Sequence, residues 1–178
     1  MPESRCRCRS HRLPTRKPNR SPPLRPRASA ADAPDSASEL KARALRLLAR
    51  REHSRAELAR KLAPRAESAE ALERLLEELV RRKQLSDERY AEARARQLAR
   101  KYGAARIAHD LRAKGIAEET AARATGGASA DEIERAREIL RRKYAFPATT
   151  LEERARRARF LQGRGFSHEV IRRVVIIG

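Results

Sequence analysis

The chain has no Trp, one Met and only three Tyr and three Phe, so aromatics make up 3 % of its 178 residues. Such scarcity leaves few flat surfaces on which the bases of a single strand could stack. The two cysteines, Cys6 and Cys8, are too few for a disulfide-stapled secreted scaffold. Seven glycines and no alternation of apolar and polar residues argue against a β-sandwich or barrel. No apolar run approaches the roughly 18 residues of a membrane-spanning helix. The four histidines (His11, His53, His109 and His168) are scattered, and none has the i, i+4 histidine partner of a helical zinc site. A zinc site on Cys6 and Cys8 would need further ligands, with His11 the one candidate nearby, so the pair reads as incidental thiols. No glycine-rich loop is present to cradle a phosphate. The carboxylates of Glu77-Glu78 and Glu118-Glu119 sit among arginines, as in helix-surface ion pairs. These absences point away from an enzyme and from any cofactor.

What the chain does have is positive charge. Lys and Arg number 43 and Asp and Glu 24, for a formal net charge of +19. Such a field favours polyanions or a protein with an acidic face. Residues 1–38 hold seven of the nine prolines and nine basic residues against three acids, a net of +6. With no aromatic and few large aliphatics, this segment cannot bury enough surface to offset its ordering entropy, and a disordered basic tail is expected. It lacks the apolar core of a secretory signal, and its prolines spoil the amphipathic helix of a transit peptide. Its charge would add nonspecific affinity for DNA.

From residue 39 onward the apolar residues recur at helical spacing. Leu72, Leu75, Leu76, Leu79 and Val80 fall on one helical face. Leu40, Ala44, Leu47 and Leu48 form a shorter stripe, and Leu58 and Leu62 another. Ser54 with Glu57 three residues on reads as a capping box. Later faces use Ile107 with Leu111, Ile133 with Leu140 across Ala136 or Arg137, and Val170, Ile171, Val174 and Val175. Pro64, Gly103, Gly115, Gly126-Gly127, Pro147, Gly163 and Gly165 break the pattern. The order of helices and breaks predicts an all-α elongated array of three tandem three-helix repeats: residues 39–84, 85–128 and 129–178. Each triplet buries little alone, and stacking extends its core. A single compact helical bundle is the alternative.

Four stretches, read in order, resemble the RecX family of bacterial recombination regulators. They are Leu45-Arg46-Leu47-Leu48-Ala49-Arg50-Arg51-Glu52-His53-Ser54-Arg55-Ala56-Glu57-Leu58, then Leu85-Ser86-Asp87-Glu88-Arg89-Tyr90-Ala91, then Gly103-Ala104-Ala105-Arg106-Ile107 with Leu111 and Lys114-Gly115-Ile116, and finally Arg159-Phe160-Leu161-Gln162-Gly163-Arg164-Gly165-Phe166-Ser167. Most of this reads as fold signature. Ser86 or Asp87 would cap a helix with Tyr90 buried one turn in. Gly115 and Gly165 would end helices in the left-handed conformation, closed by Ile116 and Phe166, with Ser167 capping the last helix. The chain departs from the family pattern at Arg94, Leu98, Ala104 and Gly163.

The resemblance implies a non-enzymatic regulator that binds the RecA recombinase, lodges in the deep groove of the RecA–single-stranded DNA filament, and suppresses ATP hydrolysis and strand exchange. The expected partners are RecA and its filament, with direct DNA contact in addition, no membrane, and the chain acting as a monomer in the cytoplasm. Arg96, Arg100 and Lys101 fall at i, i+4 and i+5, and Arg112 and Lys114 lie on the next helix. With Arg94, Arg106, Arg156, Arg159 and Arg164 they make up the candidate binding surface. A solvated face is the plain alternative for any one of them. Two rival functions are a stand-alone basic helical nucleic-acid-binding protein and a helical adaptor unrelated to recombination.

Overall fold

A computed structural model of the chain describes residues 34–126 and 129–175. Of the expected tail over residues 1–38, residues 1–33, including Cys6, Cys8 and His11, lie outside the described residues, and its last two residues instead open the first helix, because Ser36 caps it. Among those described there are nine α-helices and no strand. They are α1 (Ala37–Arg50), α2 (Arg55–Leu62), α3 (Ala69–Arg81), α4 (Asp87–Ala99), α5 (Ala104–Ala113), α6 (Glu118–Gly126), α7 (Ser129–Lys143), α8 (Leu151–Gly163) and α9 (His168–Val175). Pro64 sits in a single 3-10 turn, Ala63–Arg65, that links α2 to α3.

Local capping explains most of the boundaries. Ser36 and Glu39 form a reciprocal capping box on α1, as do Thr150 and Glu153 on α8. The first helix therefore opens at Ala37, and Asp35, ahead of it, donates its backbone N–H to the Arg65 carbonyl while its carboxylate holds Arg43. Of the two candidate caps on α4, Ser86 is the one that accepts the Arg89 N–H. Ser167 accepts the Val170 N–H at the head of α9.

The apolar residues sort into three separate cores, one per triplet. The first gathers Leu40, Ala44, Leu58, Leu62, Leu72, Leu75, Leu76, Leu79 and Leu85. The second gathers Tyr90, Ala91, Ala95, Ile107, Leu111, Ile116 and Ala121. The third gathers Ala136, Ile139, Leu140, Leu161, Phe166, Val170, Ile171, Val174 and Val175. Two expectations change. Val80 is 43 % exposed, because at the end of α3 the helix face has turned past the core. Leu85, expected to open the middle repeat, closes over the end of α3 and belongs to the first core.

That closure is unusual. Lys83 adopts φ 57°, the only non-glycine with positive φ among the described residues. Its two counterparts in the later triplets are glycines, Gly115 and Gly165, both at φ 80°. A left-handed lysine costs about 1–2 kcal/mol, of which glycine's extra unfolded-chain entropy would take back about 0.5–1. Lys83→Gly is therefore expected to raise stability by about 0.5–1 kcal/mol in urea unfolding. An unchanged or lower midpoint would show that the Lys83 side chain contributes something the backbone geometry does not.

Candidate functional site

The three triplets are joined by two junctions built on one plan. At each, the N-terminus of a second helix meets the next triplet. At the first, the Asp87 carboxylate accepts the Arg55 N–H at 2.8 Å, and Ser54 Oγ donates to the Lys114 carbonyl at 2.8 Å. At the second, the Glu132 carboxylate accepts the Ala104 N–H at 2.8 Å, and Gly103 N–H donates to the Arg164 carbonyl at 2.9 Å. In both, a carboxylate from the next triplet satisfies the first orphan N–H of a helix, where negative charge is favoured. Each junction is also closed by a glycine that leaves no room for a side chain. A Cβ on Gly115 would stand 2.5 Å from the Ala56 Cβ, and one on Gly165 would stand 2.5 Å from the Arg106 Cβ. A Cβ on Gly103 would overlap the Gly165 carbonyl oxygen.

The expected capping box at Ser54 is only half formed. Ser54 accepts the Glu57 N–H, but the Glu57 carboxylate turns away to Arg51 at 2.5 Å. His53 is 2 % exposed behind it, with Nδ1 3.3 Å from Glu57 Oε2. Arg51's hydrogen bond holds Glu57 at about 2, well below the usual carboxylate value. Burial, with Arg51's charge in second place, lowers His53 and keeps the imidazole neutral. Tyr90, Arg94 and Lys114 line the same recess.

The ten candidate cations do not share one environment. Arg94 is held bidentate by Asp110 at 2.9 and 3.2 Å, which raises its pKa and lowers that of Asp110. Arg112 is held by both oxygens of Glu118 at 2.9 Å. Arg96, Arg100, Lys101, Arg106, Lys114, Arg156, Arg159 and Arg164 carry no ion pair among the described residues. The expected shared face of Arg96, Arg100 and Lys101 is not continuous. Helix α4 ends at Ala99, so Lys101 leaves the helical path. Arg96 lines a groove with Ile107, Ala124 and Arg135, whereas Arg100 and Lys101 line another with Arg164.

This second groove brings in residues of α7 and α8. Arg100, Lys101, Arg142, Lys143 and Arg164 surround Phe160 and Ile139. Lys143 Nζ lies 3.9 Å from the Phe160 ring centre and Arg164 Cζ 4.5 Å from it. Arg164 also donates to the Lys101 carbonyl at 2.9 Å. Phe160 lies in the last of the four family stretches, and nothing local along the chain signals that Arg142 and Lys143 stand against Arg100. Arg156 and Arg159 lie exposed elsewhere on α8. No group of three or more His, Cys, Asp or Glu side chains is placed to hold a metal ion among the described residues. No described helix is long and apolar enough to cross a membrane.

Comparison with known proteins gives this geometry its family. Residues 41–79 match the description "RecX, first three-helix domain", residues 86–124 the second and residues 130–175 the third. The chain is 48 % identical over 133 residues to Regulatory protein RecX of Herbaspirillum seropedicae, spanning 75 % of this chain and 86 % of that one. It is 45 % identical over 136 residues to the Regulatory protein RecX of Leptothrix cholodnii, spanning 76 % and 87 %. The crystal structure of RecX from Lactobacillus salivarius superposes with a TM-score of 0.70 at 21 % identity, over 78 % of this chain and 94 % of the other. With the three domain matches running in order along the triplets, the chain belongs to the RecX family of regulatory proteins.

Proposed function

We propose that this chain is a non-enzymatic regulator that binds the RecA recombinase and its single-stranded DNA filament in the cytoplasm, as a monomer, and lowers ATPase and strand-exchange activity. The observation that carries this reading is the ordered run of three RecX domain matches from residue 41 to residue 175. The surface chemistry supports it. Eight candidate cations have no carboxylate partner among the described residues, so they keep their charge for an anionic or acidic partner. Arg94 and Arg112, neutralised within their own triplet, serve instead to brace α4 on α5 and α5 on α6. Contact through such cations is fast and weakens with salt.

The test is the DNA-dependent ATPase of RecA from the same cell, measured at low salt with rising amounts of this protein. The rate is expected to fall at comparable or substoichiometric amounts, and the effect to fade as salt is raised. An unchanged rate, with tight DNA binding by the protein alone, would replace this reading with that of a stand-alone nucleic-acid binder.

A further inference from the structure

We propose that the groove at the junction of the second and third triplets is a phosphate site that grips the backbone of a single nucleic-acid strand. The proposal deepens the function given above and rests on it for the source of the strand. Four of the five cations in the groove, Arg100, Lys101, Lys143 and Arg164, have no carboxylate partner among the described residues. The fifth, Arg142, is held by Glu138 at 2.7 Å.

Like charges gathered in one groove repel, so something must offset them. Part of the offset is internal. Helices α4, α7 and α8 end at Ala99, Lys143 and Gly163, beside the groove. Each helix C-terminus carries about half a negative charge. Three termini thus offset about 1.5 of the four unpaired charges, and about 2.5 positive charges stay uncompensated. The ring of Phe160 removes none of this charge. It holds Lys143 and Arg164 in place through cation–π contact.

The occupant follows from these features. Phe160 is already engaged by two cations, so the groove reads charge and does not stack bases. The mixture of guanidinium forks and compact ammonium groups suits the tetrahedral oxygens of a phosphodiester. Because Arg100 and Lys101 follow α4, while Lys143 and Arg164 belong to the third triplet, the site exists only when the two triplets are docked. A bound phosphate would therefore also tighten the junction that Gly103 and Gly165 form.

The test uses the full-length protein without RecA, so its outcome is independent of the ATPase assay. Binding of a fluorescent thymidine oligonucleotide is followed by anisotropy across a salt series. The variant Arg100→Ala/Lys101→Ala, with Lys143→Gln as a second probe, removes exposed charge without touching a core. The double variant is expected to bind at least about tenfold more weakly and to lower the salt slope by about 0.7 for each phosphate it no longer neutralises. Arg60→Ala/Arg81→Ala removes the same charge from exposed sites in the first triplet and should leave the slope unchanged. Equal losses in the two double variants, or no loss in the first, would overturn the proposal. At fixed ionic strength, inorganic phosphate or polyglutamate should fail to displace the oligonucleotide at millimolar concentration. Displacement by either would reassign the groove to free phosphate or to an acidic protein.

Discussion

Replacing Gly165 by alanine is expected to cost about 2–5 kcal/mol, combining left-handed backbone strain with overpacking. The backbone at Gly165 has φ 80°, and a new Cβ would stand 2.5 Å from both the Cβ and the backbone nitrogen of Arg106. Neither atom is the free end of a flexible side chain, so relief requires the two triplets to part. Parting them breaks the bonds from Gly103 N–H to the Arg164 carbonyl and from Ala105 N–H to the Gly165 carbonyl. Gly163→Ala is the matched control, because that glycine has no heavy atom within 4 Å of its would-be Cβ and is helical. It is expected to be neutral or to gain up to about 1 kcal/mol. Urea unfolding of the two variants measures the difference. A loss below about 1 kcal/mol for Gly165→Ala would mean that the second junction is pliable.

Acid should strike first at the other junction. Glu57 is held at about 2, below its usual 4.5, so the unfolded chain takes up its proton before the folded one does. Its contribution is complete above pH 4.5 and is lost as the pH falls towards 2. Glu57 is 14 % exposed and Arg51 53 % exposed, so water screens part of the pair, and about 2–3 kcal/mol is expected from it. His53 adds to the same trend at higher pH. Its pKa is lowered from 6.5 by burial, so the unfolded state binds its proton first, and stability begins to fall below that value. The difference in stability between the wild type and Glu57→Gln should be constant above about pH 5 and shrink towards about pH 2. A pH-independent difference would show that Glu57 acts through packing alone.

Much of the fold is legible along the chain because helices obey local rules. The apolar stripe of Leu72, Leu75, Leu76 and Leu79, the cap at Ser54, and the glycines at Gly115 and Gly165 all act within one or two turns of sequence. Buried leucines every three or four residues leave little choice of conformation. Val80 and Leu85 mark where this reasoning stops. Each sits at a helix end, and there the path of the next segment decides which side of the chain faces the core.

The candidate site is less legible, since charge alone does not say which arginine will meet an acid. Arg94 lies 16 residues from Asp110, and only the docking of α5 on α4 brings them together. Arg164 reaches the Lys101 carbonyl across 63 residues. Composition and periodicity gave a helical, strongly basic chain and pointed to three successive triplets over a single bundle, because burial at a spacing of about 3.6 residues is a local demand, while the three separate cores appear only in the structure. Which cations are paired was decided by the docking of helix on helix inside each triplet, and which carboxylates cap α2 and α5, and where the unpaired cations converge, only by the packing of triplet on triplet. Those contacts join residues whose separation along the chain carries no signal of their distance in space.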